Sequence, residues 1–141
     1  MYDSLIKTIL LETFFSAVLA RNIVMLRKSL RLRRDVKAGN TEKVKARIAL
    51  LRPTGSRSYM ARAVYTVGGS KITGSTVCAV GFGELRRGDE KYVIVGKTDN
   101  SVFALDEQQT KDAVLTWTVL TALMAIVVIF FAAGIVFEII K

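Results

Sequence analysis

The hydrophobic pattern changes character along the chain, and each change predicts a different element. Residues 113–137, AVLTWTVLTALMAIVVIFFAAGIVF, form an uninterrupted uncharged run. As a helix rising 1.5 Å per residue the run is roughly 37 Å long, enough to cross a hydrocarbon core of about 30 Å with some tilt. It predicts a transmembrane helix. Asp106 and Gln109 have the spacing of a capping box, so the helix starts before the apolar run does. Trp117 stands near one end, where an indole anchors at headgroups, and Glu138 and Lys141 mark the other.

The N-terminal run SLIKTILLETFFSAVLA, residues 4–20, is apolar but carries Lys7 and Glu12. Three readings stay open for it: a second transmembrane helix, an interfacial amphipathic helix, or a cleaved signal peptide. Positive charge follows this run instead of preceding it, which counts against the signal peptide. In a spanning helix Lys7 can snorkel to the boundary, whereas an ionised Glu12 lies deeper, where it is costly. Glu12 then either reaches headgroups or water, or makes a polar contact inside the membrane with the second helix or another copy. Thr13, Ser16, Ala17 and Ala20 share part of one face, and Thr118, Ala122, Ala125 and Ala132 do likewise on the second helix. Small faces of this kind are candidate packing surfaces.

Between residues 21 and 38 the period is helical and the polar positions are basic. Ile23, Leu26 and Leu30 recur at i, i+3 and i+7, with Arg27, Arg31 and Arg34 at nearly the same spacing on a different face. Gly39-Asn40 is a helix stop. A helix from Ser4 to Ala38 would be about 52 Å long, more than a bilayer core, so it either projects beyond the membrane or bends along its surface near Asn22.

From Val44 the period becomes two. VKARIALL (44–51), MARAVYTV (60–67), KITGSTVCAV (71–80, bent at Gly74), KYVIV (91–95) and SVFAL (101–105) read as strands. PTGSRS (53–58) reads as a loop and Gly68-Gly69 as a hairpin turn. The expected fold class is an α+β membrane protein, with two transmembrane helices flanking a small antiparallel five-stranded β-barrel or sandwich. The expected segments are an N-terminal membrane helix at 1–22, a basic amphipathic helix or linker at 23–40, a β-domain at 41–106 and a C-terminal membrane helix at 107–141.

Composition sharpens the picture mainly through charge. The 141-residue chain is 51% hydrophobic with a net charge of +9. Residues 21–62 hold thirteen Lys and Arg against Asp35 and Glu42, so the basicity is local. Lys and Arg beside membrane spans are retained on the cytoplasmic side, which predicts a cytoplasmic central domain and both termini outside. Arg21, Arg27, Lys28, Arg31, Arg33 and Arg34 are the candidate contacts for anionic lipid headgroups or a partner. Nucleic acid is the weaker expectation, because no aromatic residue occurs between Arg21 and Arg57.

Catalytic chemistry finds little to work with. Histidine is absent, and Cys78 is the single cysteine, expected as a buried strand residue. GFGELRRG (81–88) lacks the lysine-hydroxyl pair of a P-loop and reads as a loop. Asp89, Glu90 and Asp99 read as solvated turn residues, and Tyr65 and Tyr92 as core or rim aromatics of the sheet. No catalytic, cofactor-binding or metal site is expected, and the chain reads as non-enzymatic.

Three stretches carry a resemblance: AVYTVGGSKITGS (63–75), RRGDEKYVIVG (86–96) and SVFAL (101–105) leading into the closing membrane helix. Together they resemble a bacterial membrane family of unknown function, the "domain of unknown function 3592" type, over about residues 41–137. Where that family's pattern has a Tyr-Asp-Pro-like turn after the fourth strand, this chain has Gly96-Lys97-Thr98-Asp99. The resemblance implies a short β-domain between two membrane helices, and it implies no catalytic residues. The expectation is a two-span protein of the bacterial inner membrane, acting as an accessory, interaction or scaffold subunit in a homo-oligomer or larger membrane complex. The alternatives are a membrane-tethered nucleic-acid-binding module, or a self-protection or transport-accessory protein working within the bilayer.

Overall fold

The structure is a computed structural model that describes residues 2–55, 57–81 and 83–141. The chain is α+β: two long apolar helices, α1 (Tyr2–Ala38) and α2 (Glu107–Ile140), flank a six-stranded mixed sheet. The strands are β1 (Thr41–Pro53), β2 (Ser58–Val67), β3 (Ser70–Thr76), β4 (Val80–Gly81), β5 (Glu90–Gly96) and β6 (Val102–Ala104). The described residues fall into two compact units, one of residues 2–26 with 116–141, the other within residues 27–115.

α1 is assigned as helix without a break, Asn22 included. It stops where its sequence changes. Gly39 takes φ of +70°, its N–H bonds to Val36 O, and Asn40 N–H reaches back to Asp35 O. α2 starts on the capping box: Asp106 Oδ1 accepts from Gln109 N–H at 2.7 Å. The Gln109 side chain reaches one residue further back than the motif's usual target, accepting from Leu105 N–H at 2.7 Å.

In the helical unit the covered positions of α1 include Leu5, Thr8, Glu12, Phe15, Leu19, Asn22 and Leu26, a repeat of three and four residues, with Val18 and Met25 partly buried beside them. Those of α2 include Trp117, Thr121, Met124, Val128, Phe131 and Ile135. Phe15 and Phe131 meet across this seam with ring centroids 5.3 Å apart. The small residues Thr13, Ser16, Ala17 and Ala20 face outward, as do Thr118 and Ala122; only Ala125 and Ala132 lie partly in the seam. Large seam side chains fill the interface, so small-residue packing does not form it.

The sheet corrects the expectation of five antiparallel strands in two ways. The expected strand 71–80 ends at Thr76 and resumes as the two-residue β4, with Cys78 buried in the bend between them instead of in a strand. The pairing is also mixed, because β3 and β6 run parallel (Ser75 opposite Val102, Thr76 opposite Phe103). Hydrogen-bonded neighbours follow the order β1-β5-β6-β3-β2-β4, and β1 pairs with β2 as well. The ladder through β1, β5, β6, β3 and β2 thus returns to its start.

β1 makes the return possible by serving two neighbours. Thr41 to Arg47 pair with β5, and Arg47 to Pro53 pair with β2. A register shift between Ile48 and Leu50 lets the strand turn from one neighbour to the other. The core lies inside: Val44, Ala46 and Ile48 of β1, Ala61, Ala63 and Tyr65 of β2, Val93 and Val95 of β5, and Phe103. Gly68 and Gly69 form the β2–β3 turn with φ of +57° and +81°, as their spacing predicts. Gly74 lies under the Tyr65 ring, which donates its hydroxyl hydrogen to Asn100 O. Ser56 of the PTGSRS loop and Phe82 of GFGELRRG lie outside the described residues; the rest of both stretches is mostly turn or loop, with Pro53 and Gly81 ending strands and Ser58 starting one.

Candidate functional site

All of the net charge resides in the unit of residues 27–115. It holds eighteen Lys and Arg against nine Asp and Glu, a net of +9, equal to that of the whole chain. Two features of this unit concentrate the charge: the last turns of α1, and a cleft on the sheet.

On α1 the face that docks onto the sheet is not the one the apolar spacing picks out. Leu30 is 45% exposed and Ile23 38%, whereas Ser29, Leu32 and Asp35 are buried. At 100° per residue Leu30 lies on the same exposed side as Arg27, Arg31 and Arg34. Apolar and basic side chains therefore share one outward face, where the sequence pattern put them on different ones. A buried aspartate and serine are invisible to a hydrophobic pattern, which misplaced the stripe. Asp35 accepts from Thr98 Oγ1 at 2.8 Å and from Thr98 N–H at 3.2 Å. A Cβ at Gly96 would lie 2.5 Å from its Oδ2, so the approach needs a glycine there. The Gly96-Lys97-Thr98-Asp99 turn is thus the receiver for the end of α1, with Lys97 N–H also bonded to Asn40 O.

The six basic residues singled out from the sequence divide by role. Arg33 donates to Thr110 Oγ1 at 3.4 Å, tying α1 to the start of α2, and Arg31 Nη1 lies 4.0 Å from Asp99 Oδ2. Burial pushes the Asp99 carboxyl up. Its bonds from the Ser101 hydroxyl and N–H, with the charges of Lys28 and Arg31, outweigh that and hold it below the usual carboxylate range. Arg21, Arg27 and Arg34 are exposed, and none of them has an ion pair among the described residues. Asp99 and Glu90 are therefore not merely solvated turn residues: Asp99 pairs with α1, and Glu90 lies in β5, 3.1 Å from Lys45 Nζ.

The cleft was not legible in the sequence. Beyond the Arg47–Val64 pair, β1 continues along β5 while β2 continues along β3, so the two strands part. The space between them, about 700 Å³, is lined by Val44 to Ala49, Val64, Tyr65, Thr66, Lys71, Arg87, Gly88 and Glu90. Arg87 is delivered by a built turn. Gly88 takes φ of +92° and its N–H bonds to Ile48 O, Ile48 N–H bonds to Asp89 O, and Asp89 Oδ2 accepts from Arg86 N–H. Four cations, Lys45, Arg47, Lys71 and Arg87, face one carboxylate, Glu90.

Two further groups bear on chemistry. Burial pushes the Cys78 thiol up to about 11, aided by the charges of Asp112, Asp106 and Glu84, so it is a poor nucleophile at neutral pH. Glu12 lies on the helix seam, and its Oε2 is buried with no hydrogen-bond partner among the described residues. Among the described residues no group of three or more His, Cys, Asp or Glu could hold a metal ion. Comparison of the chain with family models, curated proteins and solved structures finds no match.

Proposed function

We propose that the chain is a two-span protein of the bacterial inner membrane that presents its sheet unit and the basic end of α1 to the cytoplasm as an accessory or interaction subunit. The observation that carries this is the outward placement of the apolar side chains of the helices. The most apolar 18-residue stretch of α2 has a mean hydropathy of 2.9 and none of it is buried; that of α1 has 1.7, with 11% buried. Ile126, Phe130 and Phe137 are each at least 64% exposed. A core helix of a water-soluble domain hides such residues, and a continuous apolar surface on this scale calls for lipid or a partner.

The charge supplies the orientation. The connector between the spans carries the whole net charge, and basic connectors stay on the cytoplasmic side. There Arg27 and Arg34, with Leu30 between them, meet anionic headgroups, each cation contributing about 1 kcal/mol at the surface. The closed circuit of five strands is consistent with a small barrel of the kind on which oligonucleotide- and oligosaccharide-binding proteins are built, although such a scaffold fixes no function. The resemblance of residues 63–75, 86–96 and 101–105 to the two-helix family of unknown function supports the same architecture.

Single-cysteine variants in a Cys78→Ser background test the reading. With a membrane-impermeant maleimide, Ser70→Cys should react only from the cytoplasmic side, and Tyr2→Cys and Lys141→Cys only from the other. Labelling of Ser70→Cys in intact cells, or recovery of the chain in the soluble fraction without detergent, would overturn it.

A further inference from the structure

We propose that the cleft where β1 and β2 part binds a small organic anion bearing two or more phosphate groups, held by Arg47, Lys71 and Arg87. The inference goes beyond the membrane reading and does not depend on it. Its starting point is a charge imbalance. Lys45 is paired with Glu90, but the side chains of Arg47, Lys71 and Arg87 have no ion pair or hydrogen bond among the described residues. Three unneutralised cations around one concavity repel each other, and nothing in the fold requires them there. Each is an exposed side chain, Arg47 on β1, Lys71 on β3 and Arg87 in the turn before β5.

The chemistry of the occupant follows from the lining. A single carboxylate would leave two cations unanswered, whereas a diphosphate or triphosphate supplies matching charge over a short span. The two guanidinium groups present forks suited to phosphate oxygens, and Lys71 adds a point charge. Half-buried Val64 and exposed Ala49 line the same space, so an uncharged organic portion has an apolar surface to cover. The volume of about 700 Å³ lies within the range in which small ligands bind. A nucleic-acid strand fits less well. The one aromatic side chain in the lining, Tyr65, is 2% exposed with its hydroxyl engaged by Asn100 O, so no ring is free for a base to stack on. The same phosphate chemistry is offered by a soluble nucleotide and by a phosphorylated lipid headgroup.

The test is calorimetric titration of the full chain in non-ionic detergent micelles, at low salt, with ATP, inorganic pyrophosphate and a short oligothymidylate. ATP and pyrophosphate should bind saturably below about 1 mM, and the Arg47→Glu/Lys71→Glu pair should weaken both at least about tenfold. Arg62→Glu, on an exposed β2 position outside the cleft, should leave binding unchanged and controls for charge reversal elsewhere on the sheet. Adding phosphatidylinositol bisphosphate, a lipid whose headgroup carries more than one phosphate group, to the micelles separates the sources. Competition with ATP that the paired variant abolishes assigns the site to lipid phosphate, and no competition assigns it to a soluble ligand; both outcomes uphold the proposal. No saturable binding of ATP or pyrophosphate, equal weakening by Arg62→Glu, or tighter binding of the oligothymidylate than of ATP would overturn it. Circular dichroism of the paired variant must match the parent, and the milder Arg87→Gln, expected to weaken binding several-fold, replaces it otherwise.

Discussion

Replacing Gly96 by alanine probes how α1 is fastened to the sheet. Gly96 is not among the glycines with positive φ, so alanine suits its backbone. The obstacle is steric: the new Cβ would lie 2.5 Å from Asp35 Oδ2 and 3.3 Å from its Cγ. Asp35 is 5% exposed, so its carboxylate can retreat only by leaving Thr98. Hydrogen bonds to a charged group contribute about 1.5–3 kcal/mol each, and two are at stake, partly replaceable by water, so a loss of about 2–3 kcal/mol is expected. Asp35→Ala removes the same bonds directly and should cost a similar amount. The double variant distinguishes this account from general disturbance. Without the carboxylate nothing lies nearer the alanine Cβ than an ordinary 3.4 Å, the distance to Cβ of residue 35. Gly96→Ala should therefore cost little in that background, giving a coupling of about 2 kcal/mol between the two changes. The assay is urea-dependent hydrogen exchange of the β5 and β6 amides in the full chain in micelles. Effects that add to within about 0.5 kcal/mol would refute the reasoning. So would a more stable Gly96→Ala, the result when only unfolded-chain entropy changes.

Two more outcomes follow from Tyr65. Gly74→Ala places a Cβ into the Tyr65 hydroxyl, 2.8 Å from its Cζ and 2.9 Å from the Ser101 backbone oxygen, and should lower stability by about 1–3 kcal/mol, read as a reduced urea midpoint. An unchanged midpoint would show that the ring and the Ser101 backbone are not packed as described. Burial, with the nearby charge of Asp99, pushes the Tyr65 phenol up to about 12 from its ordinary 10. The folded chain keeps that proton where the unfolded chain has lost it, so this contribution is complete below pH 10 and disappears as pH rises toward about 12. The difference in stability between the parent and Tyr65→Phe should narrow over that interval. A difference constant from pH 9 to 12 would remove the phenol from the account.

The sequence alone determined the elements whose cause is local. An uncharged run of 25 residues can only be a long apolar helix, Gly39-Asn40 and Asp106 with Gln109 cap helices through contacts a few residues away, and Gly68-Gly69 closes a hairpin by its own backbone freedom. Alternation located most of β1 and β2, because one face of each is largely wet, whereas β5 is buried on both faces from Val93 to Gly96 and showed as a short apolar run. Neither pattern gave warning that β3 and β6 would run parallel, or that β1 would serve two partners and open a cleft. Pairing partners are chosen by surfaces distant in sequence, and a two-residue period does not encode them. The docking face of α1 was misjudged for the same reason. Leu32 carries it together with Ser29 and Asp35, and burying a carboxylate becomes favourable only when Thr98, 63 residues away, supplies its hydrogen bonds. The candidate site shows the same division. Arginines on the helix are visible as a run, whereas Arg47, Lys71 and Arg87 are scattered singly along the chain and become one surface only after the strands have paired.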